Sequence, residues 1–159
     1  MHEIDKIDVK IVNLLLQDGR MPASEIARQI DGISERVDRY RIERMVDNDG
    51  IRVSAIVRPN AFGLNTNADI WLDVDSDKIL DVANKLSEFE NVTYVACSIG
   101  EADVSIQVVG ESTGVIYQFV TEVVRKISGV RKIVTSIVPI VIKDVYQWRV
   151  PETVASDAE

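Results

Sequence analysis

Between Ser34 and Asn48 the chain reads SERVDRYRIERMVDN, and four arginines (Arg36, Arg39, Arg41 and Arg44) fall within nine residues. A guanidinium fork bonds phosphate oxygens or guanine O6 and N7 in pairs, so such a run is chemistry suited to nucleic acid. The competing reading is a solvated helix laced with i,i+4 pairs such as Glu35–Arg39. A second candidate is SIGEADVS, where Gly100 precedes Glu101 and Asp103. Backbone N–H groups around the glycine can hold a small carboxylate, and the acids can meet an ammonium group. A plain hairpin turn, with glycine present for its φ freedom, explains the same residues.

The sequence argues against an enzyme. Its only histidine is His2, and its only cysteine is Cys97, so no Ser-His-Asp or Cys-His set can form. Neither a P-loop nor a G-x-G-x-x-G stretch occurs. One cysteine makes neither an internal disulfide nor a multi-cysteine metal site, and Cys97 is expected as a buried reduced thiol. No metal or cofactor is expected. No apolar run approaches the roughly 20 residues of a membrane helix, and MHEIDKIDVK lacks the apolar stretch of a signal peptide, so the expected location is the cytoplasm.

The elements that must position these residues fall into two groups. Ile4, Ile7, Ile11, Leu14 and Leu15 recur at helical spacing. PASEIARQI gives a second helix opened by Pro22, and Ser34 is a good N-cap for a third. Three short helices with a tight turn before the last form a helix-turn-helix over residues 1–50. The spacing predicts Val37, Ile42, Met45 and Val46 inward, with Arg36, Arg39, Tyr40 and Glu43 outward. The N-terminal part of a recognition helix faces base edges, which assigns Arg36 and Arg39 to bases and leaves Arg41 and Arg44 for phosphate. Alternation in IRVSAIVRP predicts a strand, making the domain winged-helix-like, and residues 51–65 serve as strand and linker.

Residues 66–148 then alternate strand, helix, strand, strand, helix, strand: the ferredoxin-like βαββαβ order, for an α+β chain overall. The last strand is expected to run on through VRKIVTSIVPIVIKDV, with Pro139 tolerated at a sheet edge. Residues 149–159 read as a frayed tail. Charge divides the same way. The formal net charge is -8, of which residues 1–60 carry -1 and residues 61–159 carry -7. A locally positive face is therefore compatible with an acidic chain.

The segments IDKIDVKIVNLLLQDGR, SEIA and SERVDRYRIER, followed by YVACSIGEADVSIQVV and ISGVRKIVTSIV, resemble the leucine-responsive/asparagine-regulator (Lrp/AsnC) family over about residues 4–148. The resemblance implies a transcription regulator that binds double-stranded DNA as a homodimer, often assembled further into an octamer. DNA-binding positions would be Ser24, Ser34, Arg36, Arg39, Tyr40, Arg41 and Arg44. A small effector, an amino acid first among them, would sit near Gly100, Glu101 and Asp103, with Thr135 and Ser136 of the last strand completing the pocket. Sheet faces left uncovered by helices would form the dimer surface. Three departures from the family pattern are local. The turn QIDGIS is one residue longer than usual, Asp38 stands where a small apolar residue is usual, and the customary glycine after the third helix is displaced, leaving Asp49 there. Two rivals remain: a DNA-bending, chromatin-like protein using the same arginines, and a sirohaem-decarboxylase-like enzyme. The second is disfavoured because the second domain has no histidine.

Overall fold

The computed structural model describes residues 4–155, in two compact units. His2 and the last four positions of the expected tail lie outside the described residues.

The first unit holds three helices: α1 (Lys6–Leu15), α2 (Ala23–Gln29) and α3 (Glu35–Asp47). Each starts where the sequence supplies a reason. Asp5 caps α1, accepting from the N–H groups of Ile7 and Asp8 at 2.8 and 2.9 Å, while Asp8 reaches back to the Asp5 N–H. Pro22 occupies the N-cap of α2, and Ser34 Oγ accepts from Val37 N at the start of α3. Ile11, Ile26, Ile30 and Met45 form the core between them. The third helix ends in a two-bond cap: Asp49 N–H donates to the Val46 carbonyl and Gly50 N–H to that of Met45. Asp49 itself adopts φ +54°, the left-handed conformation that usually falls to glycine at this position.

Two expectations for this region are corrected. Residues 51–58 form no strand, and Val53, Ile56 and Val57 are exposed. Alternation supplies a two-faced ribbon, but a strand also needs a neighbour to hydrogen-bond with, and none pairs with this one among the described residues. The long last strand stops at Val138, before Pro139, and the chain beyond Ile142 joins the first unit instead of fraying at 149. The side-chain amide of Asn13 on α1 holds it there. Its Nδ2 donates to the Val150 carbonyl at 3.0 Å, and its Oδ1 accepts from Val150 N–H at 2.9 Å.

The second unit, Val57–Val141, has the predicted element order: β1 (Thr66–Val74), α4 (Ile79–Ser87), β2 (Val92–Cys97), β3 (Val104–Gly110), α5 (Thr113–Gln118) and β4 (Val130–Val138). After α5 the chain widens into a π turn over Phe119–Val123 and closes with a 3-10 turn, Val124–Lys126. The antiparallel sheet has the order β2-β3-β1-β4, so β4 is an edge strand, and Pro139 lies just beyond its end. Ala68, Ile70, Leu72 and Val74 point to the helix-bearing face and are buried with Val82, Leu86, Ile106, Ile116 and Phe119. Asp69, Trp71 and Asp73 alternate onto the other face, where Tyr94 and Val134 are also exposed. Cys97 ends the other edge strand and is exposed, against the expectation of burial.

Candidate nucleic-acid interface

The third helix separates its four arginines by periodicity. At 100° per residue, Asp38, Ile42 and Met45 share the inner face, while Arg36, Tyr40 and Glu43 lie opposite. Val37 and Val46, expected inward, are each 41% exposed, and Asp38 takes the inner place. Arg36 projects into solvent with no partner among the described residues. Arg39 pairs with Glu35 at 2.8 Å in an exposed i,i+4 contact that a phosphate can replace at little cost. Tyr40 is 62% exposed. Glu35, Arg36, Arg39, Tyr40 and Glu43 together line one shallow surface depression. Ser34 is exposed at the helix start with its hydroxyl used in the cap, and Ser24 is exposed on α2.

Arg41 and Arg44 do something else. Arg41 Nη1 lies 2.7 Å from Asp5 and 2.8 Å from Asp8, and Arg44 Nη2 lies 3.1 Å from Asp8. Asp8 is fully buried and both guanidinium groups are largely covered. Burial alone would raise the Asp5 carboxyl, but hydrogen bonds from the Asp8 N–H and Arg41 bring it below the usual range. Burial likewise opposes the charge of Arg41, and the two carboxylates more than offset it, holding its pKa above the ordinary value. Arg41 and Arg44, expected at phosphate, are here engaged in a clamp between α3 and α1. Arg44 also lies over the Tyr40 ring, 5.8 Å from its centroid, and so steadies an outward residue from behind.

In the second unit, the hairpin turn and the last strand come apart. Gly100 adopts φ +153°, with open space where a side chain would begin, so the turn backbone is accessible. Glu101 is exposed. Asp103 is occupied: its carboxylate accepts from Val74 N–H at 2.7 Å, at the point where the β1–β4 register shifts. Arg131 bonds the Val74 carbonyl at 3.0 Å and approaches Asp103 at 3.7 Å. Together they satisfy the backbone of a bulged residue. Thr135 and Ser136 do not join the turn, because β1 lies between β3 and β4. Nor do they share a face. Thr135 pairs with buried Ile70 and Ser136 with Asp69, so their side chains point to opposite sides of the sheet. The five residues cannot form one pocket within one chain.

Residues 4–46 match the model of the AsnC-type helix-turn-helix domain, and residues 58–150 match that of an AsnC-type C-terminal dimeric alpha+beta barrel domain. The HTH-type transcriptional regulator PF1231 of Pyrococcus furiosus is 35% identical over 135 residues, covering 84% of this chain and 90% of that protein. HTH-type transcriptional regulator FL11 of the same organism is 32% identical over 136 residues, covering 85% and 89%. Among solved structures, E. coli AsnC superposes with a TM-score of 0.81 at 22% identity, covering 91% of this chain and 99% of that one. Transcriptional regulator NMB0573 of Neisseria meningitidis, solved as its L-Met complex, gives 0.82 at 23% identity, covering 89% and 93%. No helix among the described residues is long and apolar enough to cross a membrane, and no group of side chains among them could hold a metal ion. A helix-turn-helix with an arginine face, a four-stranded α+β unit and matches spanning both place this chain in the Lrp/AsnC family of DNA-binding transcription regulators.

Proposed function

We propose that the chain reads a dyad-symmetric DNA site as a homodimer, with Arg36, Arg39 and Tyr40 of α3 in the major groove and Ser24 and Ser34 beside the phosphate backbone. The observation that carries this reading is the split within α3: Arg36 and Arg39 face solvent, while Arg41 and Arg44 are tied to Asp8. A helix clamped on its inner face holds its outer arginines in a fixed orientation, which sequence-selective contact requires. One such helix reaches only a few base pairs, so selectivity calls for two. The helix-free sheet face carrying the exposed Trp71, Tyr94 and Val134 is the surface proposed to pair the copies. Higher assembly, up to an octamer, would build on that dimer. Sedimentation of the intact protein and of Trp71→Glu tests the pairing; an unchanged dimer in the variant counts against this surface.

The signal is proposed to be an amino acid held at the turn 98–103. Its carboxylate would meet the amides around Gly100 and its ammonium Glu101. Support comes from the open backbone at Gly100 and from the L-Met complex of a regulator with the same fold. The non-enzymatic reading fits a surface used for DNA and a turn without a catalytic set. Anisotropy titrations on a selected operator and a scrambled duplex, at several salt concentrations, test the DNA reading. Selective binding is expected, with the non-selective part falling steeply as salt rises. Equal affinity for both duplexes would favour the DNA-bending alternative.

A further inference from the structure

Between the π turn after α5 and the edge strand β4 lies a cleft of about 480 Å³, within the range of small-ligand pockets. Its lining combines Val120, Val130 and Ile133 with Thr121, Thr135 and Arg125, and the backbone-bonded Arg131 flanks it. The stretch 61–159 is strongly acidic and has Arg125, Arg131 and Arg149 as its arginines, yet two of these line the cleft and no carboxylate does. The cations are not equivalent. Arg131 is engaged by Asp75, Asp103 and the Val74 carbonyl. Lys132 contributes to the wall too, but its ammonium lies 3.8 Å from Asp73, which faces the opposite side of the sheet. Arg125 has no ion-pair or hydrogen-bond partner among the described residues.

The two hydroxyls also differ. Thr121 Oγ1, in the π turn, donates back to the Tyr117 carbonyl of α5 at 2.9 Å, whereas the Thr135 hydroxyl has no hydrogen-bond partner among the described residues and points to the helix-bearing face where the cleft lies. π turns inside helices recur at ligand sites. We infer that this cleft binds an aliphatic monocarboxylate lacking an ammonium group, 2-oxo acids being the best-matched class, with the carboxylate on Arg125, the second oxygen on Thr135 and the tail on Val120, Val130 and Ile133. One unneutralised guanidinium matches one carboxylate in a fork-to-fork pair. A phosphate would leave a second charge unmatched above an apolar floor. A free amino acid would bring an ammonium to a wall whose charged side chains are all cations.

The groups proposed to hold the ligand, Arg125 and Thr135, are not those of the turn 98–103, so loss of amino-acid binding in Glu101→Gln is distinguishable from failure of this site. Calorimetry on the full chain with 4-methyl-2-oxopentanoate and with leucine tests it, using wild type, Arg125→Gln and Arg125→Lys. The oxo acid is expected to bind about tenfold or more weakly to Arg125→Gln, with Arg125→Lys in between, since a point charge replaces a fork. Leucine is expected to show no loss in Arg125→Gln. Equal loss of leucine and oxo-acid binding, oxo-acid binding indifferent to Arg125→Gln, or no oxo-acid binding at millimolar concentration would each overturn the inference. Arg125 is exposed, so the variants should melt with wild type.

Discussion

Two aspartates of the first unit, Asp8 on α1 and Asp38 on α3, are both fully buried, and they differ in everything else. Asp8 collects Arg41, Arg44 and the Asp5 N–H. Neither carboxylate oxygen of Asp38 has a hydrogen-bond partner among the described residues, and burial pushes its pKa up. A buried charge is tolerable when opposite charge and hydrogen bonds replace water, and costly when nothing does. The arginine-rich segment thus serves two purposes. Its inner arginines neutralise the α1 carboxylates and its outer ones stay exposed, available for the DNA contact proposed for them, while the aspartate between them has no compensating partner among the described residues.

The sharpest way to break this contrast is Asp8→Ala. Removing the carboxylate leaves the largely covered Arg44 guanidinium unmatched and Arg41 with Asp5 alone, and breaking such a set costs about 3–5 kcal/mol. Urea unfolding of the intact protein, followed at the helical signal, should show that loss in the first transition. A cost no larger than that of an ordinary surface substitution would mean the clamp contributes little.

Arg36→Ala and Arg41→Ala then separate the two faces of α3. Arg36→Ala should cost about 1–3 kcal/mol in operator binding and relax selectivity, with no change in the unfolding midpoint. Arg41→Ala should lower the midpoint and affect DNA only as far as the helix loosens. If both variants lose DNA affinity equally at full stability, the assignment of one arginine to structure and the other to contact is wrong.

Asp38→Ala is expected to stabilise the first unit by about 1–2 kcal/mol at neutral pH, because an unsatisfied buried polar group disappears. The gain should depend on pH with a definite sign. The folded pKa lies above the unfolded value. Below the unfolded value both states are protonated and wild type carries no charge penalty. As pH rises past it, the unfolded chain releases its proton first, so wild type loses stability until the folded carboxyl also ionises. The advantage of the variant should therefore open with rising pH from the acid side. An advantage that is constant with pH would mean that helix propensity, not charge, is the cause.

How much of this the sequence disclosed follows from what periodicity carries. The βαββαβ order was legible because VTYVACSI and DVSIQVV change period against the helical stretches around them. The split of the arginines was half legible: Arg36 and Tyr40 fall on the outer face by spacing alone. The partners of Arg41 and Arg44 lie more than thirty residues away, beyond the reach of any local pattern. Asp38 had a usable signal, since it stands four and seven residues before Ile42 and Met45 on one face. The prior that aspartate is exposed outweighed it. Residues 51–58 failed for a different reason: alternation describes faces, not neighbours. The effector set failed on topology, because the sequence pattern gives the order of elements along the chain but not the order of strands, and β1 lies between β3 and β4 in the sheet.

The smallest expected effect lies at the far end of the same helix. Asp49 holds φ +54° in the two-bond cap of α3, where a Cβ costs energy that glycine avoids. Its carboxylate also follows the C-terminal end of a helix, where the dipole disfavours negative charge. Asp49→Gly removes both penalties but gives the unfolded chain more freedom, so the net gain should be about 0.5 kcal/mol. Asp49→Asn keeps the side chain, tolerates the left-handed conformation and removes only the charge, for a gain of about 0.3 kcal/mol that salt should erase. The two variants apportion the cost between backbone and charge. If both leave the unfolding midpoint unchanged at low salt, the aspartate is as well suited to this cap as the glycine it replaces, and the third helix carries a single misfit, at Asp38.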